Sequence, residues 1–178
     1  MESLEIILER GTRAFTEEEK RALAARKNDY YKELIQQITP QDILPGISTL
    51  LSHIRTHKIR CGLASASANA PTILRLLGIE NLLDFVADPT KLKAGKPCPD
   101  IFIEAARGLG VKPECCVGVE DAHAGIKAIK SAGMFAVGIG THLADAECDL
   151  LLKDTSELSL DALSAMLEGS SKPYGACA

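Results

Sequence analysis

The spacing of apolar residues along this chain changes once, near residue 45. Upstream, Leu23, Lys27, Tyr30, Tyr31 and Leu34 recur at helical intervals, with Lys27 interrupting the apolar face. Thr16-Glu17-Glu18-Glu19 has the Thr-x-x-Glu form in which side chains and backbone satisfy unpaired N–H groups at a helix start. The pattern predicts helix up to about Ile38, followed by a loop with Pro40, Pro45 and Gly46. Downstream, short apolar runs alternate with amphipathic stretches. Gly46–His57 places Ile47, Leu50, Leu51 and Ile54 on one helical face. Ile59–Ala64 is a short run interrupted by Arg60, and helices follow at about Pro71–Leu77 and Asp100–Leu109, closed by Gly78 and Gly110. Cys115–Val119 is a second run, ending in Glu120-Asp121. Helix Ala122–Ala132, the run Phe135–Ile139, a short strand at Asp149–Leu152 and a helix near Leu160–Leu167 complete the series.

Runs of about five apolar residues between helices predict an α/β fold, with parallel strands covered on both faces. The expected organisation is a partial helical cap over 1–44, an α/β core over 45–169 and a disordered tail over 170–178. In such sheets, ligands bind at the carboxyl ends of the strands. Two of the runs end there in polar residues.

Composition narrows the function classes. Hydrophobic residues make up 46% of the 178 and charged residues 25%, an ordinary balance for a chain that buries a core. Net charge is −4 without a long Lys/Arg run, which argues against nucleic-acid or anionic-membrane partners. No apolar stretch reaches the roughly 18 residues needed to span a bilayer, and the N-terminus lacks signal-peptide character, so a cytoplasmic location is expected. Six cysteines show neither paired metal spacing nor a disulfide framework, and read as free thiols. The adjacent Cys115 and Cys116 are expected on opposite faces of a strand.

Three segments offer chemistry. Ser65-Ala66-Ser67-Ala68-Asn69 joins an apolar run to a helix, presenting hydroxyls and N–H groups that suit a phosphate. The plainer reading is a helix cap by Ser67 or Asn69. Lys96, before Pro97 in a loop between α/β units, has the charge to neutralise a transferring phosphoryl group; the plainer reading is a solvated lysine. Glu120 and Asp121 repel each other at a buried strand end and therefore ask for a hard cation such as Mg²⁺. Otherwise Asp121 caps the next helix. His53 and His57 lie at i, i+4 beside Arg55 and Lys58 and read as a solvated face.

The order of Ser65, Lys96 and Glu120-Asp121 at the ends of successive units resembles the second, third and fourth motifs of the haloacid dehalogenase (HAD) superfamily. The resemblance narrows to its β-phosphoglucomutase branch through Arg26-Lys27-Asn28-Asp29, Leu44-Pro45-Gly46-Ile47, Leu63–Pro71, Lys96-Pro97-Cys98-Pro99-Asp100-Ile101-Phe102 and Glu120-Asp121-Ala122-His123-Ala124-Gly125-Ile126. It covers roughly residues 1 to 155. It implies a Rossmann-like HAD core that interconverts β-glucose 1-phosphate and glucose 6-phosphate through a phosphoaspartate, with Mg²⁺ and bound β-glucose 1,6-bisphosphate. By position, Ser65, the Ala66 N–H and Lys96 would hold the transferring phosphoryl group. Ser67, Ala68 and Asn69 would contact the second phosphate, Glu120 and Asp121 would ligate Mg²⁺, and Ser3 and Lys27 would contact substrate from the cap. Ala68 stands where the best-known member of the family has a lysine, so only its backbone N–H is available. A monomer acting on a phosphorylated hexose, without nucleic acid or membrane, is the implied partnership.

One element of the resemblance is missing. The first motif is an apolar strand followed by Asp-x-Asp-Gly, whose first Asp attacks phosphorus while the second serves as general acid and base. No Asp in this sequence has that context: Asp88 is followed by Pro89-Thr90, and Asp121 by Ala122-His123. The resemblance implies that this strand, the first cap helix and a basic substrate loop lie upstream of Met1. It also implies that the strand sits mid-sheet, between those ending at Ser65 and Glu120. The alternatives are a HAD-type sugar-phosphate phosphatase on the same core and an inactive remnant that binds sugar phosphates or a partner chain.

Overall fold

The computed structural model describes residues 11, 13 and 15–169. The expected cap contact Ser3 and the expected disordered tail, 170–178, lie outside them. The chain divides into two compact units, Met1–Thr39 and Pro40–Ala178.

In the first unit, helix α1 spans Glu17–Ile35 and begins with the predicted capping box. The Glu19 N–H donates to Thr16 Oγ1 at 3.2 Å, and the Thr16 N–H donates to Glu19 Oε2 at 2.9 Å. Glu17, Glu18 and Glu19 place negative charge at the positive end of the helix dipole. Tyr30, Tyr31 and Leu34 stay exposed along the helix and only Ile35 is buried.

The second unit is built on five parallel strands. Helix α2 (Ile47–Thr56) precedes strand β1 (Gly62–Leu63), helix α3 (Ala70–Leu77) and strand β2 (Phe85–Val86). Helix α4 (Asp100–Leu109), strand β3 (Val117–Glu120), helix α5 (His123–Ser131), strand β4 (Phe135–Ile139), strand β5 (Leu150–Leu152) and helix α6 (Leu160–Glu168) follow. The strands form two separate ladders, β1–β2 and β3–β4–β5, with Gly62 opposite Phe85, Val117 opposite Phe135 and Val137 opposite Leu150. Gly78 and Gly110 end α3 and α4 as predicted, at φ 72° and 67°, a region that side chains resist.

Strand β4 shows why continuous apolar runs mark this fold. Ala136 packs with Ile101, Phe102, Ile126, Ile129 and Met134, whereas Val137 packs with Leu50, Ile54, Leu152 and Leu158. Successive side chains enter opposite layers, and both layers are dry.

Two readings of the sequence need correction. Cys115 and Cys116 are not paired across a strand: Cys115 ends a 3₁₀ turn (Pro113–Cys115), and β3 starts only at Val117. Pro113 favours the turn and delays the extended run. Nor are all cysteines free. Cys61, Cys98, Cys116 and Cys148 are free thiols, but Cys115 is disulfide-bonded.

Ile129 is fully buried whereas Ile103 is 44% exposed. Ile129→Ala should therefore lower the unfolding free energy by about 2–5 kcal/mol in urea titration, and Ile103→Ala by less than about 1 kcal/mol. Burial pushes the thiols of Cys61 and Cys116 up from their ordinary range, with Asp84 and Glu114 adding to the effect, whereas Cys98 is exposed. A thiol reagent at pH 8 should modify Cys98 first, with Cys61 and Cys116 reacting only on unfolding.

Candidate phosphate and metal site

One cavity of about 1110 Å³ runs along β1 and β3, and at their carboxyl ends its lining includes Ser65, Ala66, Lys96 and Glu120. The structure thus brings together one member of each predicted segment. Ser67, Ala68 and Asn69 continue from Ala66 into the start of α3, and Asp121 follows Glu120, beside the cavity. Lys27 lies within α1, in the other unit.

The Ser65 segment is shaped by its own hydroxyls. The Ser67 N–H donates to Ser65 Oγ at 3.1 Å, and the Asn69 N–H donates to Ser67 Oγ at 3.2 Å. Each serine oxygen accepts from the residue two places on, a local turn typical of hydroxyl side chains. This leaves each O–H proton to donate elsewhere. Asn69 is the N-cap of α3 but makes no side-chain cap bond, so the simple capping alternative holds only for its position. At the start of α3 the Ala70 N–H donates to the Ser67 carbonyl at 3.2 Å and Pro71 has no N–H, so the local turn itself uses most of the donors there.

Lys96 comes from the loop after β2 and follows no regular element. The Lys96–Pro97 peptide is cis. Its ammonium donates to Glu120 Oε2 at 2.5 Å and lies 4.9 Å from the Phe102 ring centroid. The lysine and glutamate side chains are 19% and 11% exposed, so the pair is largely shielded from water. A shielded pair of this kind is coupled strongly, and removing either member strands the other.

Glu120 needs room, and the sequence supplies it at Gly125. A Cβ on Gly125 would lie 2.1 Å from the Glu120 carboxyl carbon, so the carboxylate occupies the place of a missing side chain in the first turn of α5. Asp121 does not cap α5. The N-cap is Ala122, with no side-chain cap bond, leaving the Asp121 carboxylate unused by the helix. The Asp121 carbonyl instead accepts a hydrogen bond from His142 Nε2 at 2.8 Å. His123 Nε2 bonds Asp145 Oδ1 at 2.8 Å, which holds the Asp145 carboxyl below the usual range.

The donor set suits magnesium in kind. Mg²⁺ is held by one or two carboxylates together with waters and substrate phosphate oxygens, and Glu120 and Asp121 offer two adjacent carboxylates beside a phosphate-sized rim. Among the described residues no group of three or more His, Cys, Asp or Glu side chains forms a metal cage. A smaller depression of about 280 Å³, lined by Arg55, Lys58, Ile59, Arg60 and Asp84, lies beyond the amino end of β1.

His142 and Asp145 were not singled out in the sequence. They lie in the turn after β4, 21 and 22 residues from their partners, and no local pattern links the two segments. Gly125, quoted only as part of a motif, carries a steric role that sequence alone does not reveal.

Comparison with known proteins gives this geometry a family. A model of the haloacid dehalogenase-like hydrolases matches residues 2–133. The β-phosphoglucomutase of Bacillus subtilis strain 168 is 50% identical over 164 residues, 91% of this chain and 73% of that protein. A crystal structure of β-phosphoglucomutase from Clostridium difficile superposes with a TM-score of 0.88 at 46% identity, covering 94% of this chain and 76% of the other. The fructose-1-phosphate phosphatase of Escherichia coli K12 is 35% identical over 119 residues, 66% of this chain and 62% of that protein. No described helix is long and apolar enough to cross a membrane. The chain therefore belongs to the haloacid dehalogenase-like hydrolases, in their β-phosphoglucomutase branch.

Proposed function

We propose that this chain forms the phosphate-binding rim of a magnesium-dependent phosphotransferase. The reaction is interconversion of β-glucose 1-phosphate and glucose 6-phosphate through bound β-glucose 1,6-bisphosphate. The observation that carries the reading is Lys96: a shielded ammonium paired with Glu120, in the cavity that Ser65 and Ala66 also line. An ammonium fixed there meets charge that develops on a phosphoryl group without having to reorganise first. Ser65 Oγ–H and the Ala66 N–H donate to the same phosphoryl oxygens. Ser67, the Ala68 N–H and Asn69 serve the second phosphate, and substrate contact by Ser3 and Lys27 rests on the family resemblance alone. Glu120 and Asp121 hold Mg²⁺, which supplies further positive charge beside the phosphate.

Transfer also requires a carboxylate to attack phosphorus, and the 178 residues contain no Asp-x-Asp-Gly run. We assign that carboxylate to a strand lying between β1 and β3. Among the described strands, β1 pairs only with β2 and β3 pairs only with β4. Leu63, Val117 and Val119 line the same cavity, together with Leu50 and Phe102. Unpaired backbone at two facing apolar edges is costly, and a parallel strand there satisfies both.

Calorimetric titration with glucose 6-phosphate and Mg²⁺ tests the rim. Lys96→Met should weaken binding at least about tenfold, the equivalent of ~1.4 kcal/mol, and Ser65→Ala by less. Equal affinity of Lys96→Met and the parent would sink the assignment. Turnover tests the rest. The purified chain with β-glucose 1-phosphate and the bisphosphate should yield no glucose 6-phosphate until a peptide carrying an apolar strand and Asp-x-Asp-Gly is added. Free phosphate without glucose 6-phosphate would favour a phosphatase, as in the relative from Escherichia coli. Turnover by the chain alone would remove the need for an added strand.

A further inference from the structure

The segment that presents Asp121 has no cap of its own. Ala122 begins α5 without a side-chain bond, and Asp121 is exposed. A carboxylate on such a segment is held only as well as its backbone is held. The constraint comes from the turn that follows β4. That turn is anchored from below by Leu143, which is fully buried, and by the Gly140 N–H donating to the Leu152 carbonyl of β5 at 2.8 Å. From this fixed base His142 Nε2 reaches the Asp121 carbonyl and Asp145 Oδ1 reaches His123 Nε2, each at 2.8 Å. The two imidazole rings lie 6.3 Å apart, so the bridges stand side by side. One takes hold before Ala122 and the other after it.

We propose that His142 is a positioning residue: its Nε2–H clamps the Asp121 carbonyl and thereby sets where the Asp121 carboxylate meets a divalent cation, with the His123–Asp145 bond as a second, weaker clamp. The proposal rests on the metal role given to Asp121 above. Hydrogen bonds that orient a ligand from behind typically govern metal affinity by about 10- to 100-fold. The histidine touches neither the cation nor the phosphate.

The test uses the full chain with His142→Leu, which loses the donor, and His142→Gln, which keeps an N–H donor on a shorter side chain. Free Mn²⁺ is counted by electron paramagnetic resonance, with Mg²⁺ as competitor, and exchange of the Gly125 and Ile126 amides, which donate to the Ala122 carbonyl at 2.9 and 3.0 Å, is followed by NMR. His142→Leu should weaken Mn²⁺ and Mg²⁺ binding about tenfold and speed exchange at these two amides by a similar factor. His142→Gln should restore both to within about threefold of the parent. Equal defects in the two variants would mean that the ring merely fills space, and would overturn the proposal. So would unchanged exchange in His142→Leu. If the parent chain binds no Mn²⁺, the metal reading of Asp121 fails, and amide exchange alone decides whether the clamp exists.

Discussion

Two parallel ladders whose described strands do not pair with each other must be held in one unit by something else, and α4 does it. Its inner face places Ile101, Phe102, Ala105 and Ala106 in a single apolar cluster with Ala87 after β2 and with Ile126, Ile129 and Ala136 of the larger ladder. Ala64 and Phe85, from the β1–β2 side, pack against the same cluster. At the rim above it, Lys96 and Glu120 join the loop after β2 to the end of β3. Hydrophobic contact is non-directional and sets only that the ladders lie together. The ion pair, with its short reach, sets where the two strand ends stand relative to each other, and the functional rim is made at that point.

Much of this was legible in the chain because the physics is local. Strand β4 occurs at the predicted Phe135–Ile139, since an apolar run buried on both faces has few other uses. The capping box of α1 and the glycines that end α3 and α4 follow from single residues with strong backbone preferences. Strand β2 was not anticipated: Phe85-Val86 is two residues long, too short for any period, and exists because β1 offers it an edge. Cys115 reads as strand from its apolar neighbours, whereas Pro113 turns the chain there.

The site was legible in part, for the same reason. Ser65, Lys96 and Glu120 sit at the ends of successive units, and it is the likeness of their order to the superfamily's motifs, more than alternation of strand and helix, that predicts their meeting; all three line one cavity. The competing view of Asp121 as a helix cap was reasonable from sequence, yet Ala122 takes that place without a side-chain bond. Contacts of the turn after β4 were invisible because they depend on β4 and β5 being neighbours, a property of the sheet and not of either segment. The role of Lys27, carried by a different unit from the rim, rests on the family resemblance alone.

Gly125 imposes a limit on how far this protein can be hardened. Glycine inside a helix forfeits about 1 kcal/mol relative to alanine, so replacing it is an obvious way to stiffen α5. The methyl group would enter the volume that the Glu120 carboxylate fills, 2.1 Å from its carbon. The Glu120 side chain would have to shift, and its pairing with Lys96 would shift with it. The helix therefore keeps a weak point in its own backbone, and that weak point is what leaves the carboxylate its present place. Stiffening α5 at this position would trade helix stability against the alignment of the acid.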